Sequence, residues 1–193
     1  MGEFVNGFEK MSVIGPCVSI FGSARVREGN HYYDLAVQIA KKIAEAGYGV
    51  ITGGGPGIME AGNKGANLAG GTSVGLNIDL PFEQHDNPYI DEDKSLDFDY
   101  FFVRKVMFVK YAQGFVVMPG GFGTLDELFE VLTLQQTGKV RRRPILLFGR
   151  DFWTRLIDLD WLVQTGMIAP EDVNLIQYVE SAEEAWSVLQ KHY

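Results

Sequence analysis

The sequence predicts an α/β fold: one parallel sheet, doubly wound, with helices on both faces and no second domain. Three observations carry this expectation. From Val18 onward, short apolar runs alternate with segments whose apolar residues recur at helical spacing. No linker or shift in composition interrupts the alternation. Glycines stand directly behind three of the apolar runs, at Gly22, at 53–57 and at 120–123. Strands and helices that alternate this regularly give a parallel sheet covered on both faces, the Rossmann-like arrangement. The 193 residues suffice for one such domain. We assign it residues 15–193, behind an arm over residues 1–14.

Each element has its own signal. Met1 to Ser12 holds Gly2, Asn6, Gly7 and scattered Phe, and reads as an arm that orders only against another surface or stays disordered. Val18 to Phe21 is a short apolar strand. Tyr32 to Ala46 places Leu35, Ala36, Ile39, Ala40 and Ile43 on one helical face, and Gly47 stops it. Tyr48 to Thr52 is a strand, Ile58 to Ala69 a helix closed by Gly70-Gly71, and Thr72 to Ile78 a strand. Asp79 to Asp99 is polar, irregular and interrupted by Pro81 and Pro88, and connections of that length are often functional. Tyr100 to Ala112 reads as a helix, Phe115 to Met118 as a buried strand and Thr124 to Thr137 as a helix. Pro144 to Phe148 is a strand, Asp151 to Gln164 one helix, Leu175 to Val179 a strand and Ala182 to His192 a helix. Ser181 and Glu184 have capping-box spacing at the start of that last helix.

Composition excludes several functions. Apolar residues make up 46% and charged residues 22%, which is ordinary globular composition and not that of a disordered chain. The formal net charge of −8 argues against a general nucleic-acid binder, which needs a basic face. The single cysteine, Cys17, allows no internal disulfide and fits a reducing, cytoplasmic setting. No apolar run approaches a membrane span and no signal-peptide pattern is visible, so no membrane partner is expected. His31, His85 and His192 are scattered, and no metal site or cofactor is expected. Arg141-Arg142-Arg143 reads as a solvated charge run.

The glycine loops carry the chemistry. Right-handed crossovers put every strand-to-helix loop on one edge of the sheet, where ligands bind. Glycine there lets the backbone approach a ligand, and the helix that follows offers free amides and a positive dipole end to phosphate. Gly120, Gly121, Gly123 and Thr124 make the strongest case. The spacings G-x-G-x-x-G and G-x-x-x-x-G-K-[ST] are both absent. Asp79 stands where a dinucleotide enzyme has its ribose-binding acid, a minor alternative given that broken spacing.

Two charged positions are ambiguous on chemistry alone. Arg104 and Lys105 sit in a run that is apolar on nearly every side of a helix. Buried cations need a partner, which is either a structural carboxylate of the 79–99 connection or an anionic ligand. Glu127 follows Thr124 by three residues, the spacing of a capping box, so a purely structural role competes with a catalytic one. On composition alone Glu83 reads as solvated.

The run Pro119-Gly120-Gly121-Phe122-Gly123-Thr124-Leu125-Asp126-Glu127 resembles the PGGxGTxxE signature of the LOG (Lonely Guy) family. These are cytokinin riboside 5′-monophosphate phosphoribohydrolases, many of them once labelled "possible lysine decarboxylase". The resemblance runs from Gly15 to the C-terminal helix and takes in Gly22-Ser23-Ala24-Arg25, Gly53 to Glu60 and Arg104-Lys105. It implies that Arg104 and Glu127 are catalytic. It implies substrate contacts at Lys105, Gly120, Gly121, Phe122, Gly123, Thr124 and Thr133, at Ser23 and Gly55 in the other loops, and at Glu83 on the ribose. Phe102-Val103 ahead of Arg104 differs from the plant pattern and resembles a longer bacterial subgroup that assembles beyond dimers.

The expected reaction is hydrolysis of the N-glycosidic bond of a purine nucleoside 5′-monophosphate, a cytokinin riboside or adenosine monophosphate, to free base and ribose 5-phosphate. A decarboxylase would need a lysine in a pyridoxal motif, and none is recognisable. The rival class is a nucleotide carrier or sensor on the same fold, without chemistry. A homodimer or higher homo-oligomer is expected, because Phe101, Phe102, Phe108 and Tyr111 exceed what one sheet face covers.

Overall fold

The structure is a computed structural model that describes residues 2–79 and 87–192. The expected contact Glu83 lies outside the described residues. Strands β1 (Cys17–Phe21), β2 (Gly49–Thr52), β3 (Ser73–Ile78), β4 (Ser95–Phe98), β5 (Ala112–Val117), β6 (Ile145–Phe148) and β7 (Ile176–Val179) form one sheet, in the order β4-β3-β2-β1-β5-β6-β7. Every neighbouring pair is parallel. Chain direction across the sheet reverses between β1 and β5, the switch point at which such sheets open a crevice.

Alternation along the strands splits the interior into two cores. Val18, Ile20, Val50, Val116, Leu146 and Phe148 face α2 (His31–Glu45), α3 (Ile58–Leu68) and α8 (Ala182–Gln190). Cys17, Phe21, Ile51, Val74, Leu76, Phe115, Val117 and Leu147 face α4 (Phe101–Lys110), α5 (Phe122–Gln136) and α6 (Arg150–Leu156). This second core also holds Met11 of α1 (Gly2–Ser12).

Besides shifts at element ends, such as β5 starting at Ala112 where a helix was expected, four features stand apart from the expected elements. Residues 2–12 are helical and lie on α4. Gly7 meets Met107, Tyr111 Oη donates to the Phe8 carbonyl (3.3 Å), and Phe4 packs on Phe102. The connection expected to be irregular contains β4, whose Leu96 and Phe98 are buried and which pairs with β3 from Gly75↔Ser95 to Ile78↔Phe98. The helix expected over 151–164 is two, α6 and α7 (Leu159–Gln164). Ile157 is extended between them and the Asp158 carboxylate accepts from Trp161 N (2.8 Å) to start the second. Finally, α5 begins at Phe122, two residues earlier than expected.

Among the described residues no helix is long and apolar enough to cross a membrane.

Candidate active site at the sheet switch point

The loops behind β1 and β5 are tied together at the crevice. Ser23 N donates to the Pro119 carbonyl (3.1 Å), and the Ser23 carbonyl accepts from Ile58 N (3.0 Å), the first residue of α3. The Ser23 hydroxyl accepts from Arg25 N (3.1 Å). Ser23 therefore joins the three glycine loops through its backbone, while its side chain shapes its own turn.

The start of α5 offers free amides of the kind that can hold an anion. Its first helical hydrogen bond is Leu125 N to the Gly121 carbonyl (3.0 Å), so the amides of Phe122, Gly123 and Thr124 precede the ladder. They point out of a 15-residue helix at its positive end. Gly121 and Gly123 are exposed, and a Cβ on either would meet no heavy atom within 4 Å. Gly120 differs, since a Cβ there would run into the Thr124 side chain, which is buried beneath the loop. The Phe122 ring is 93% exposed.

The capping-box reading of Glu127 fails on geometry. Thr124 is the third residue inside the helix, Gly121 is the cap, and no side chain bonds the cap. Glu127 stands four residues after Gly123, one turn further along the same face. It lies with Phe21, Lys105, Phe108, Val109, Glu130 and Val131 around a narrow pocket between α4 and α5. Burial pushes its carboxyl up to about 7. Arg104 and Lys105 pull back against that rise, and Asp126 adds to it.

Arg104 is 7% exposed and feels Glu127, although the two form no ion pair among the described residues. Its Nε donates to the Leu76 carbonyl (2.7 Å) and its Nη2 to the Gly53 carbonyl (3.4 Å), and the guanidinium lies 5.0 Å from the Phe108 ring centre. Carbonyls and a ring face thus hold a cation for which the sequence left open a structural carboxylate or an anionic ligand. Burial lowers its pKa and Glu127 counters this; a guanidinium stays charged under such a bias. A Cβ on Gly53 would strike Nη2, which is why that position has no side chain.

Lys105 points elsewhere. It bridges Asp126 (3.1 Å) and Glu130 on α5. Burial alone would lower its pKa, but the two carboxylates outweigh it and raise it. The lysine therefore pins α5 to α4 on either side of Glu127. Thr133 is exposed in a groove along α5 with Phe122, Leu125, Asp126, Phe129 and Glu130. It lies nine residues beyond Thr124, roughly 14 Å at the helical rise. Within one chain it does not reach the loop.

Gly55 shares the loop behind β2 with Gly53, whose carbonyl holds Arg104, and there the structure brings in residues that the sequence did not single out. Thr52, Asn63 and Ser73 are completely buried and, with Asn87, hydrogen-bonded to one another around that loop. One signal was available: Asn63 is the single polar residue among Ile58, Ala61, Gly62, Gly65 and Ala66 on the buried face of α3.

Known proteins resemble this chain in sequence and in fold. A family model described as "Possible lysine decarboxylase" covers residues 59–189. The cytokinin riboside 5′-monophosphate phosphoribohydrolase LOG of Oryza sativa subsp. japonica is 30% identical over 176 residues, covering 89% of this chain and 71% of the rice protein. The cytokinin riboside 5′-monophosphate phosphoribohydrolase of Mycobacterium tuberculosis is 29% identical over 157 residues, covering 79% of this chain and 82% of that enzyme. Among solved structures, the molybdenum cofactor carrier protein of Chlamydomonas reinhardtii superposes with a TM-score of 0.68 at 20% identity, covering 92% of this chain and 98% of that one, a likeness of fold alone. With the signature at 119–127 lying in the crevice of that fold, the chain belongs to the LOG family, whose model carries the "Possible lysine decarboxylase" description.

Proposed function

We propose that the protein hydrolyses the N-glycosidic bond of purine nucleoside 5′-monophosphates, either cytokinin ribosides or adenosine monophosphate. The observation that carries this is Glu127. It is a carboxylate pushed up to about 7, with no hydrogen bond or ion pair among the described residues, one helical turn from the free amides of α5 and facing Arg104. A phosphate on those amides would bring its ribose toward Glu127, which stands about one helical pitch of 5.4 Å further along α5.

The reaction follows from that placement. As the C1′–N bond lengthens, its electron pair leaves with the base and positive charge develops on the sugar. The ionised Glu127 stabilises that charge and orients a water toward C1′. Water supplies the hydroxyl of ribose 5-phosphate, and its proton ends on the departing base. Arg104 adds positive charge beside the phosphate and ribose. Gly120, Phe122, Ser23 and Gly55 border the same crevice, and Lys105 supports it from behind through Asp126 and Glu130.

The working unit in this reading is a homo-oligomer in the cytoplasm. Thr133 then contributes to a neighbouring copy's crevice rather than its own. The deciding experiment is incubation with AMP and with isopentenyladenosine monophosphate, followed by chromatography for free base. Release from the monophosphates but not from adenosine supports the reading. Nucleotide binding without release would make the protein a carrier or sensor.

A further inference from the structure

We propose that Asn63 is a positioning residue: through the loop behind β2 and the start of β3 it fixes Arg104 opposite Glu127. Its catalytic meaning rests on the function proposed above, but the positioning itself does not.

The Asn63 amide is saturated. Oδ1 accepts from Thr52 Oγ1 (2.5 Å) and from Asn87 Nδ2 (2.9 Å). Nδ2 donates to Ser73 Oγ (2.9 Å) and to the Val74 carbonyl (3.2 Å). Those four bonds use two acceptor sites and two donors, all that the side chain has. Two of these partners continue into the glycine loop. The Thr52 hydroxyl accepts from Gly54 N (3.0 Å), and Asn87 Nδ2 also donates to the Gly55 carbonyl (3.4 Å).

The two carbonyls that hold Arg104 belong to the segments bound in this way. Gly53 lies between Thr52 and Gly54, and Leu76 follows Val74 by two residues on β3. Burying an amide on a helix face of small residues is unfavourable unless every polar atom is satisfied. What this amide provides is a rigid spacing between the loop and the strand, and therefore a fixed seat for the guanidinium.

The test reads Glu127. The charged groups around it are Arg104 and Lys105 from α4 and Asp126 and Glu130 on its own helix, while β1 contributes only Phe21, which does not titrate. Arg104 holds the Glu127 carboxyl down, so loosening Arg104 must let Glu127 titrate at higher pH. Carboxyl NMR of carbon-13-labelled glutamate follows this without substrate in wild type, Asn63→Ala and Thr52→Val. Ser181→Ala, which removes the cap of α8, serves as a control destabilised away from the site.

Both site variants should keep a cooperative melt, shift the Glu127 titration to higher pH and lose about tenfold in base release from AMP, with the control unmoved. A folded variant whose Glu127 titrates as in wild type overturns the proposal. Should Asn63→Ala not fold, Thr52→Val decides, since it removes one hydroxyl and keeps the shape. A wild type that releases no base refutes the proposed function, and the NMR titration still decides the positioning.

Discussion

At the scale of single residues, Glu127 concentrates the predictions. Its folded pKa of about 7 lies above the ordinary carboxylate value, so the native state holds a proton that the unfolded state has released. The stabilising protonated form is fully present below about pH 4.5 and is lost as pH rises through about 7. Glu127→Gln removes this penalty. The variant should melt higher than wild type at pH 8, with a smaller difference at pH 5, while base release from AMP is nearly abolished. Calorimetry at the two pH values beside a base-release assay checks it; a lower melting temperature at pH 8 would restore a structural role for the carboxylate. In the proposed reaction the ionised form acts, so wild-type base release should climb as pH passes through about 7, and a profile that falls there would make Glu127 an acid instead. The sequence left this residue ambiguous for a definite reason. Thr124 and Glu127 have capping-box spacing, and only the start of α5 at Phe122 shows that Thr124 is already inside the helix. Asn63 is quieter still: one polar letter in a small-residue helix says nothing about four bonds to segments on both sides of it.

At the scale of elements, the start of α5 separates stability from binding. An acidic side chain in the first turn of a helix favours the helix by about 0.3–1 kcal/mol. The same charge repels a phosphate held on those amides. Gly123→Asp should therefore keep or raise the melting temperature, since a side chain there meets open space, and raise KM for AMP by about tenfold or more. Unchanged KM would remove the phosphate from this helix end. The elements legible in sequence are those whose apolar period is long or ends on glycine, such as α2 with Leu35, Ala36, Ile39, Ala40 and Ile43 before Gly47. The strand β4 was not legible, because Leu96 and Phe98 are its only apolar residues and its register comes from pairing with β3. The break between α6 and α7 was hidden because Ile157 keeps the apolar pattern running where the backbone turns extended. Phe98 tests how far the fold depends on this edge: Phe98→Ala should cost about 3–5 kcal/mol in urea unfolding, because the ring is buried in the second core.

At the scale of the whole molecule, α1 covers only part of the aromatic face of α4. Phe101 and Phe102 stay 52% and 58% exposed beside Tyr100, and α5 exposes Phe122 and Phe129 on the same side of the sheet. An apolar area of that kind is expected to meet a second copy. Sedimentation at micromolar concentration should give a multiple of 21.5 kDa, and Phe102→Glu should shift the mass toward one chain and lower base release together. A fully active species of monomer mass would refute the assembly. The packing of α1 also bears on how the chain is made. Phe8 bonds Tyr111 across 103 residues, and Glu3 accepts from Asp99 N across 96. An isolated helix of this length is marginal in water. On the ribosome the segment is therefore a loose amphipathic strip that must wait while about a hundred further residues are synthesised, and its docking marks the moment at which α4 has been delivered.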